Sequence, residues 1–223
     1  MELSLAQFLE LSKEDSVRII DTRTDVEFLQ GYIPGSIHIG LDEIKTLNAL
    51  KIIEHDCPII LVCTQGTEAI LIKRFELLGY TQVKGYLQGG FSTWSDADQK
   101  IDLIIEVEVD ELAMDIPFDE YLMVLDIRAE EVYDKGHIKD AIHLPLIEFG
   151  DPGSMSELDE HFNIYIIDDL GKQLLLAASV LKRQGIHNIR IVKDGWDAVE
   201  FLKNKFKIVA SPKKNLSDDQ EYQ

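Results

Sequence analysis

Cysteine is scarce in this sequence, since its 223 residues include only two, Cys57 and Cys63. The residues between them predict a β-strand, and at ~3.3 Å per residue that strand would hold the two Cα atoms about 20 Å apart, too far for a disulfide. Two cysteines without a nearby set of histidines also lack the ligands of a structural zinc site. We therefore expect two separate thiols and no bound metal.

Long apolar runs are missing as well. No stretch approaches the ~18 to 20 consecutive apolar residues that a membrane span requires. Residues 1–5 lack the basic region and the apolar run that begin a secretion signal. These absences predict a cytoplasmic protein that does not associate with membranes.

Basic residues are few compared with acidic ones. The chain has 22 lysines and arginines against 41 aspartates and glutamates, a formal net charge of −19. Such a surface repels the phosphate backbone, so we expect no nucleic-acid partner. It also works against small anionic substrates, although its simplest role is to keep the chain soluble.

The chain repeats itself with a constant offset of 105 residues, so that Asp21 corresponds to Asp126. The matching segments are 19–23 with 124–128, 28–33 with 133–138, and 36–39 with 141–144. A period of this length is too long for a solenoid, so each copy is expected to be a whole domain. We predict domains over residues 1–100 and 102–208. The polar residues 209–223 are predicted to be a disordered tail.

Within each copy, short β-branched runs alternate with helical patterns, which is typical of an α/β fold with a parallel sheet covered on both faces. The predicted strands are 17–21, 58–63 and 80–87 in the first copy and 163–168 in the second. The predicted helices are 67–78, ended by Gly79, and 172–184, ended by Gly185. Ligands of such sheets bind at the carboxyl ends of the strands, where Cys63 lies, whereas Cys57 lies at the opposite end and is predicted to be inert.

The loop after Cys63 has the features of an anion-binding site. It consists of Thr64, Gln65, Gly66, Thr67 and Glu68. A short turn between a strand and a helix directs successive backbone N–H groups inward, and the helix dipole adds positive potential. We expect these groups to favour the thiolate form of Cys63, which is the nucleophilic form. The simpler alternative is that Cys63 is a small buried residue at the end of a strand.

Four blocks, in their order and spacing, resemble a rhodanese domain. They are Asp-Thr-Arg at 21–23, the segment 27–36, the segment 63–68 and Gly-Gly-Phe-Ser-Thr-Trp at 89–94. The resemblance covers nearly all of both copies. It implies two tandem α/β/α domains, each with a mostly parallel sheet of about five strands.

The resemblance also implies a function. Cys63 would be the catalytic residue of a sulfurtransferase, taking a sulfane sulfur from a donor as a persulfide and passing it to a thiol or protein acceptor. No metal or organic cofactor is needed. Asp21 and Arg23 would form a structural charge pair, and the turn over 27–36 and the 89–94 block would support the fold without touching the sulfur chemistry.

Two features depart from the family pattern. Many active relatives have a basic or hydroxyl residue at the end of the cysteine loop, where this chain has Glu68. A carboxylate there raises the pKa of the thiol and repels thiosulfate, which favours a protein or cysteine-derived sulfur donor. The same residue also has a simple structural role, because an acid in the first turn of a helix is stabilised by the dipole.

The second departure is Asp168, which stands in the second copy where Cys63 stands in the first. A carboxylate cannot carry a sulfane sulfur, so the second copy is predicted to be degenerate. Asp168 and Asp169 could be read as a metal pair, but a solvated loop explains them better. We expect this copy to be a scaffold that packs on the first domain or recruits a protein partner.

Two alternative functions remain open at this stage. A non-catalytic regulatory or protein-binding module would fit the degenerate copy, the acidic loop and the net charge. A phosphatase or arsenate reductase on a related scaffold would need a longer loop and an arginine to hold the anion, and the 63–68 loop has neither.

Overall fold

The computed structural model of the protein describes residues 1–155 and 158–212. The first copy has strands β1 (Glu2–Leu3), β2 (Arg18–Asp21), β3 (Ile37–His38), β4 (Ile59–Val62) and β5 (Val83–Leu87). Its helices are α1 (Leu5–Leu11), α2 (Asp25–Leu29), α3 (Leu47–Leu50), α4 (Glu68–Leu77) and α5 (Gly90–Ser95).

The second copy repeats this order. Its strands are β6 (Ile105–Val107), β7 (Leu122–Asp126), β8 (His137–Ile138), β9 (Ile142–His143), β10 (Asn163–Ile167), β11 (Ile189–Val192) and β12 (Ile208–Val209). Its helices are α6 (Val109–Asp115), α7 (Glu130–Tyr133), α8 (Leu174–Arg183) and α9 (Gly195–Phe201). In the part of the chain described, no helix combines the length and the apolar character needed to cross a membrane.

Each copy contains one five-stranded sheet. The strand orders are β1-β5-β4-β2-β3 and β6-β11-β10-β7-β9, and every pairing within the two sheets is parallel. Strands β8 and β12 form a separate antiparallel pair. The predicted α/β class with two tandem, largely parallel five-stranded sheets is confirmed.

The central strands form where the sequence predicts them because they are buried on both faces. All four residues of β4 are buried. Helix α4 buries Leu71 and Phe75 and ends before Gly79, whose φ of +93° suits glycine. The predicted strand 80–87 is shorter in the structure and begins at Val83. Tyr80 N–H donates to Phe75 O, so Tyr80 closes the preceding helix instead of starting the strand.

The two copies share one hydrophobic core through α8. Residues 174–182 of this helix are all buried, and the apolar cluster around it contains side chains of both copies, including Ile37 and Leu125. Ser179 Oγ accepts the backbone N–H of His38 at 3.0 Å, so α8 satisfies a backbone donor of β3, the edge strand of the first sheet. Arg183 donates to Gly35 O at 3.1 Å. The second copy therefore packs directly on the first, as one of the two predicted roles requires.

The segment between the copies is held by the same helix. Asp102 forms a backbone bridge with Tyr32, and its carboxylate accepts the Tyr32 hydroxyl at 2.9 Å and Lys182 Nζ at 2.8 Å. The predicted boundary between residues 100 and 102 therefore lies in a segment bonded to both copies.

The predicted tail over residues 209–223 begins too early. The structure places Val209 in β12, where it pairs with His137, and Ser211 N–H donates to Asp134 O at 3.0 Å. The β-branched pair at 208–209 extends the second domain by pairing with β8. The rest of the predicted tail, residues 213–223, lies outside the described residues.

Candidate active site

Cys63 lies directly after β4, at the carboxyl end of the first sheet. The residue is 4% exposed, and its thiol is free, as is that of Cys57. It lies in a pocket with a volume of about 380 Å³. The thiol is therefore buried but adjoins a cavity of a size that holds small ligands.

The pocket is formed by three segments of the first copy. Its walls are Arg23, Glu27 and Gln30 from the end of β2 and from α2, Thr64 and Gln65 from the cysteine loop, and Gly89, Gly90, Phe91 and Ser92 from the start of α5. Of the five predicted loop residues, Thr64 and Gln65 line the pocket with Cys63, whereas Gly66, Thr67 and Glu68 do not.

The sequence predicted only structural support, away from the sulfur, for Arg23, the 27–36 segment and the 89–94 block. In the structure, these segments provide most of the pocket. The signal was available, because residue 23 and residues 89–90 follow β2 and β5 closely, and the carboxyl ends of parallel strands meet at one edge of a sheet.

Arg23 lines this wall, and its guanidinium is held in place by hydrogen bonds and by a ring contact. Its guanidinium donates to both carboxylate oxygens of Asp21, with Nη2 to Oδ2 at 2.6 Å, and Nη2 also donates to Gly31 O at 2.9 Å. The carbon Cζ lies 4.0 Å from the centre of the Phe91 ring. Arg23 and Asp21 are both buried, so the pair positions the wall, and the charge of Arg23 is largely neutralised by its partner.

Gly90 brings the start of α5 against the cysteine. A Cβ on this residue would lie 3.0 Å from the carbonyl oxygen of Cys63, and its φ of +63° is one that other residues rarely adopt. Glycine therefore allows α5 to approach the strand end closely and narrows the pocket around the thiol.

Glu68 is already hydrogen-bonded to one of the backbone amides that were expected to bind an anion. Its two carboxylate oxygens accept the Gly66 N–H at 3.0 and 2.9 Å. Gly66 has a φ of +90°, the conformation that turns this amide toward the carboxylate. In the described structure, the negative group that this amide binds therefore belongs to the chain itself.

The structure corrects the expectation that the loop favours a thiolate. Burial, followed by the charge of Glu68, raises the pKa of Cys63 to about 11, while the Thr67 hydroxyl acts in the opposite direction. That hydroxyl donates to Thr64 O at 2.6 Å. Burial and the nearby negative charges outweigh the effect of this hydroxyl on the pKa of Cys63. Cys63 is therefore a thiol at neutral pH.

The second copy has the same arrangement with a different carboxylate. Asp168, in the position of Cys63, accepts the N–H of Gly171 at 2.5 Å and that of Gln173 at 2.7 Å. These amides correspond to those of Gly66 and Glu68 at the repeat offset. Helix α8 follows directly and begins at Leu174, not at the predicted residue 172.

Asp168 is buried, and burial raises its pKa despite the two amides. Both of its oxygens are committed to the loop, so the structure gives no support for a metal pair with Asp169. Within residues 1–155 and 158–212, no group of three or more His, Cys, Asp or Glu side chains could hold a metal ion.

Comparison with known families agrees with this architecture. The model of the rhodanese-like domain matches residues 4–97 and again residues 108–201. The chain belongs to the rhodanese-like family.

Two rhodanese-like relatives are named for sulfur transfer. YrkF of Bacillus subtilis strain 168, named for a proposed sulfur-carrier role, is 35% identical over 92 residues, which are 41% of this chain and 49% of YrkF. Thiosulfate sulfurtransferase GlpE of Pseudoalteromonas translucida strain TAC 125 is 34% identical over 100 residues, 43% of this chain and 89% of GlpE. The chain thus spans about half the length of YrkF, and these relatives connect it with the sulfurtransferases as a family.

Solved structures match both rhodanese-like domains at once. A thiosulfate sulfurtransferase from Pseudomonas aeruginosa is 16% identical and covers 95% of this chain and 44% of that chain, with a TM-score of 0.41. An anaerobic ergothioneine biosynthesis enzyme from Chlorobium limicola is 17% identical and covers 94% and 62%, with a TM-score of 0.42. Similarity at this level does not bear on what this chain does.

Proposed function

We propose that the protein is a sulfurtransferase or persulfide carrier in which Cys63 accepts a sulfane sulfur and passes it to a thiol or protein acceptor. The observation that carries this proposal is the position of Cys63, which adjoins a cavity at the end of β4 and begins a loop whose Gly66 amide holds a carboxylate. An amide that binds a carboxylate can equally stabilise the negative charge of a persulfide.

The reaction needs two displacements at sulfur. In the first, the ionised Sγ of Cys63 attacks the sulfane sulfur of the donor. A bond forms between Sγ and that sulfur, the bond from the sulfur to the donor breaks, and the donor leaves with the electron pair. In the second, an acceptor thiolate attacks the outer sulfur, and Cys63 leaves as a thiolate. Neither step needs an external oxidant or a cofactor.

The protonation state of Cys63 limits the first displacement. A pKa of about 11 leaves roughly one thiol in 10⁴ ionised at pH 7. Movement of Glu68 away from Gly66 would remove a repelling charge and free an amide for the persulfide. We infer that the chain reacts fastest with a donor that brings no large negative charge of its own, such as a protein or cysteine persulfide, and slowly with thiosulfate.

Intact-mass measurement tests the proposal. The full chain is incubated separately with thiosulfate and with cysteine persulfide, followed by mass analysis without reductant. We expect the mass of one additional sulfur, retained in Cys57→Ser and absent in Cys63→Ser. Release of the added sulfur by an acceptor thiol would show transfer. If no donor adds sulfur to the wild type, the proposal is wrong.

A second candidate function is a non-catalytic rhodanese-like binding or regulatory module. The raised pKa of Cys63 favours it, because few of the thiols are ionised at neutral pH. The bond from Gly66 to Glu68 also favours it, because this amide of the loop is already bound to a carboxylate. The mass experiment separates the two candidates, since a binding module gains no sulfur from any donor.

The second domain is proposed to contact a protein partner in addition to packing on the first. Phe201 is 86% exposed and Leu170 51% exposed, and both line a cavity of about 420 Å³ beside the degenerate loop. Exposed apolar side chains around a concave surface are typical of protein contact sites.

A further inference from the structure

Another cavity lies between the two domains, at the opposite end of the first sheet from Cys63. Its volume is about 300 Å³, at the lower end of the range for small-molecule sites. Arg18 at the start of β2 and Cys57 just before β4 contribute from the first domain, and Phe149 and Arg183 contribute from the second. At this end of the sheet, Cys57 was predicted to be inert.

Two arginines converge in this cavity. Arg18 Nη1 donates to Val17 O at 3.4 Å, and Arg183 Nη2 donates to the same carbonyl oxygen at 3.5 Å. The two guanidinium groups, one from each domain, are therefore neighbours. Burial and the charge of Arg18 lower the pKa of Arg183, as expected when two like charges are held together.

Among the described residues, neither guanidinium forms an ion pair with a carboxylate. In residues 1–155 and 158–212, the ion pairs of arginine involve Arg23, Arg74 and Arg128. Arg18 donates to the backbone carbonyls of Asp15 and Val17 through Nη1, so the rest of its fork of five N–H donors stays available. A half-buried pair of cations that forms no direct ion pair is unusual, because charges removed from water are normally paired.

The charge balance of the cavity is opposite to that of the chain. Arg18, Lys51 and Arg183 line it together with one acid, Glu54, whereas acids outnumber bases 41 to 22 overall. Asp56 and Asp15 lie close enough to influence Cys57 and Arg183, respectively, but neither is part of the lining. The rest of the lining contains the apolar side chains of Ile37, Ile52, Ile53, Phe149 and Val180, together with Cys57, Gly150 and Gln184.

We propose that this cavity binds a small organic oxyanion, with its phosphate, phosphonate or carboxylate group held by Arg18 and Arg183 and its apolar part against the isoleucines and Phe149. Guanidinium groups bind such planar or tetrahedral anions through paired N–H donors. Because one arginine comes from each domain, the bound anion would connect the domains at the end of the molecule opposite Cys63.

Cys57 provides a built-in reporter of occupancy. Its half-buried thiol lines the cavity and donates to Ser16 O at 3.2 Å. The experiment measures alkylation of Cys57 by N-ethylmaleimide in the full chain, with the modified peptides separated by mass spectrometry. Cys63, which lies in the other pocket, is read in the same sample. The probe is phenylphosphonate, with inorganic phosphate and benzyl alcohol for comparison at constant ionic strength.

We expect phenylphosphonate to slow alkylation of Cys57 several-fold and saturably, with no such effect on Cys63. Inorganic phosphate should bind more weakly, since it leaves the apolar wall uncovered, and benzyl alcohol should give no protection. Arg18→Gln and Arg183→Gln should each weaken the binding of phenylphosphonate roughly tenfold or more. Arg74→Gln, which removes an arginine on the first domain outside the cavity, should bind like the wild type.

Arg183 also bonds Gly35 and so contributes to domain packing, which makes Arg18→Gln the deciding variant. Melting temperatures without probe identify any variant that is simply unfolded. The proposal is overturned if benzyl alcohol protects as well as phenylphosphonate, if both cysteines are slowed equally, or if Arg18→Gln binds like the wild type. These outcomes are independent of whether Cys63 carries sulfur.

Discussion

The loop that begins at Cys63 contains the carboxylate of Glu68, whose charge has the same sign as a thiolate or persulfide of Cys63. Glu68 accepts the Gly66 N–H with both oxygens, and its charge is the second largest cause of the raised pKa of Cys63 after burial. The reactivity of the thiol therefore depends on a side chain that never needs to touch it.

Replacing Glu68 with glutamine tests this dependence. Glu68→Gln keeps the size of the side chain but removes its charge, so the pKa of Cys63 should fall below about 11, by on the order of one unit. The pH dependence of Cys63 alkylation by iodoacetamide measures the shift. Glu76→Gln removes an exposed charge from the same helix and serves as the control. An unchanged pH midpoint in Glu68→Gln would show that the charge of Glu68 does not contribute to the raised pKa.

The buried thiol also predicts how stability depends on pH. Burial raises the pKa of Cys63 from its ordinary value of 9.0 to about 11, so between these values the folded protein holds a proton that the unfolded chain has released. The contribution of Cys63 is therefore complete below pH 9 and is lost as the pH rises toward 11. Relative to Cys63→Ser, the wild type should lose up to about 1 kcal/mol of unfolding free energy per pH unit.

Urea unfolding of both proteins between pH 8 and 11 provides the measurement, and taking the difference removes the contributions of other titrating groups. A difference that does not change with pH would contradict the raised pKa.

At the residue scale, the sequence predicted the positions of the side chains around Cys63 better than the contacts that they make. The position of Cys63 at a strand end followed from the pattern of β4, and the unfavourable effect of Glu68 on its ionisation followed from charge alone. The bond from Gly66 to Glu68 did not follow, because it depends on the rotamer of one side chain and the orientation of one peptide. Arg23 was missed as a pocket residue because its pairing with Asp21 suggested a purely structural role.

At the scale of single elements, α8 differs from its counterpart α4 although the two occupy equivalent places in the repeat. Helix α4 buries Leu71 and Phe75, whereas α8 is buried from residue 174 to residue 182. The difference arises because α8 lies between its own sheet and β3 of the first domain, where Ser179 bonds the backbone of His38.

Ser179→Ala tests this contact. Removing the hydroxyl leaves the buried N–H of His38 without its acceptor, which should cost about 1–3 kcal/mol of unfolding free energy. Ser95→Ala removes an exposed hydroxyl that donates to Ser92 O, and its effect should stay within about 0.5 kcal/mol. Chemical unfolding followed by circular dichroism compares the two. Equal effects would mean that the bond between α8 and β3 contributes nothing to stability.

The apolar sequence of α8 was visible in the printed chain, with three leucines and two alanines at 174–178. The sequence nevertheless predicted only a helix over 172–184, since nothing in the local pattern states which partner covers its second face. Only the packing of two copies provides that information.

At the scale of the whole molecule, the two domains form one structural unit. A single apolar cluster extends through both, and Asp102 between them bonds Tyr32 on one side and Lys182 on the other. The sequence predicted the duplication and the α/β class of each copy, because a repeat needs no knowledge of contacts. The sequence did not predict the interface between the domains, because that interface depends on residues that differ between the copies.

Shared packing predicts that the domains unfold together. The chain has two tryptophans, Trp94 in the first domain and Trp196 in the second, so Trp94→Phe and Trp196→Phe each leave a fluorescent probe in one domain. Within each variant, the urea midpoint from fluorescence should coincide with that from circular dichroism. A fluorescence midpoint that separates from the circular dichroism midpoint in either variant would show that the domains unfold independently.

The two loops that follow β4 and β10 hold their carboxylates with different degrees of permanence. Asp168 is buried and lies against Gly195, where a Cβ would stand 2.5 Å from Asp168 Oδ1. The carboxylate in the second loop is therefore held in place by the fold. Glu68 begins α4 and is only partly buried. The repeat therefore places a carboxylate on equivalent backbone amides of both copies, buried in the second copy and partly open to solvent in the first.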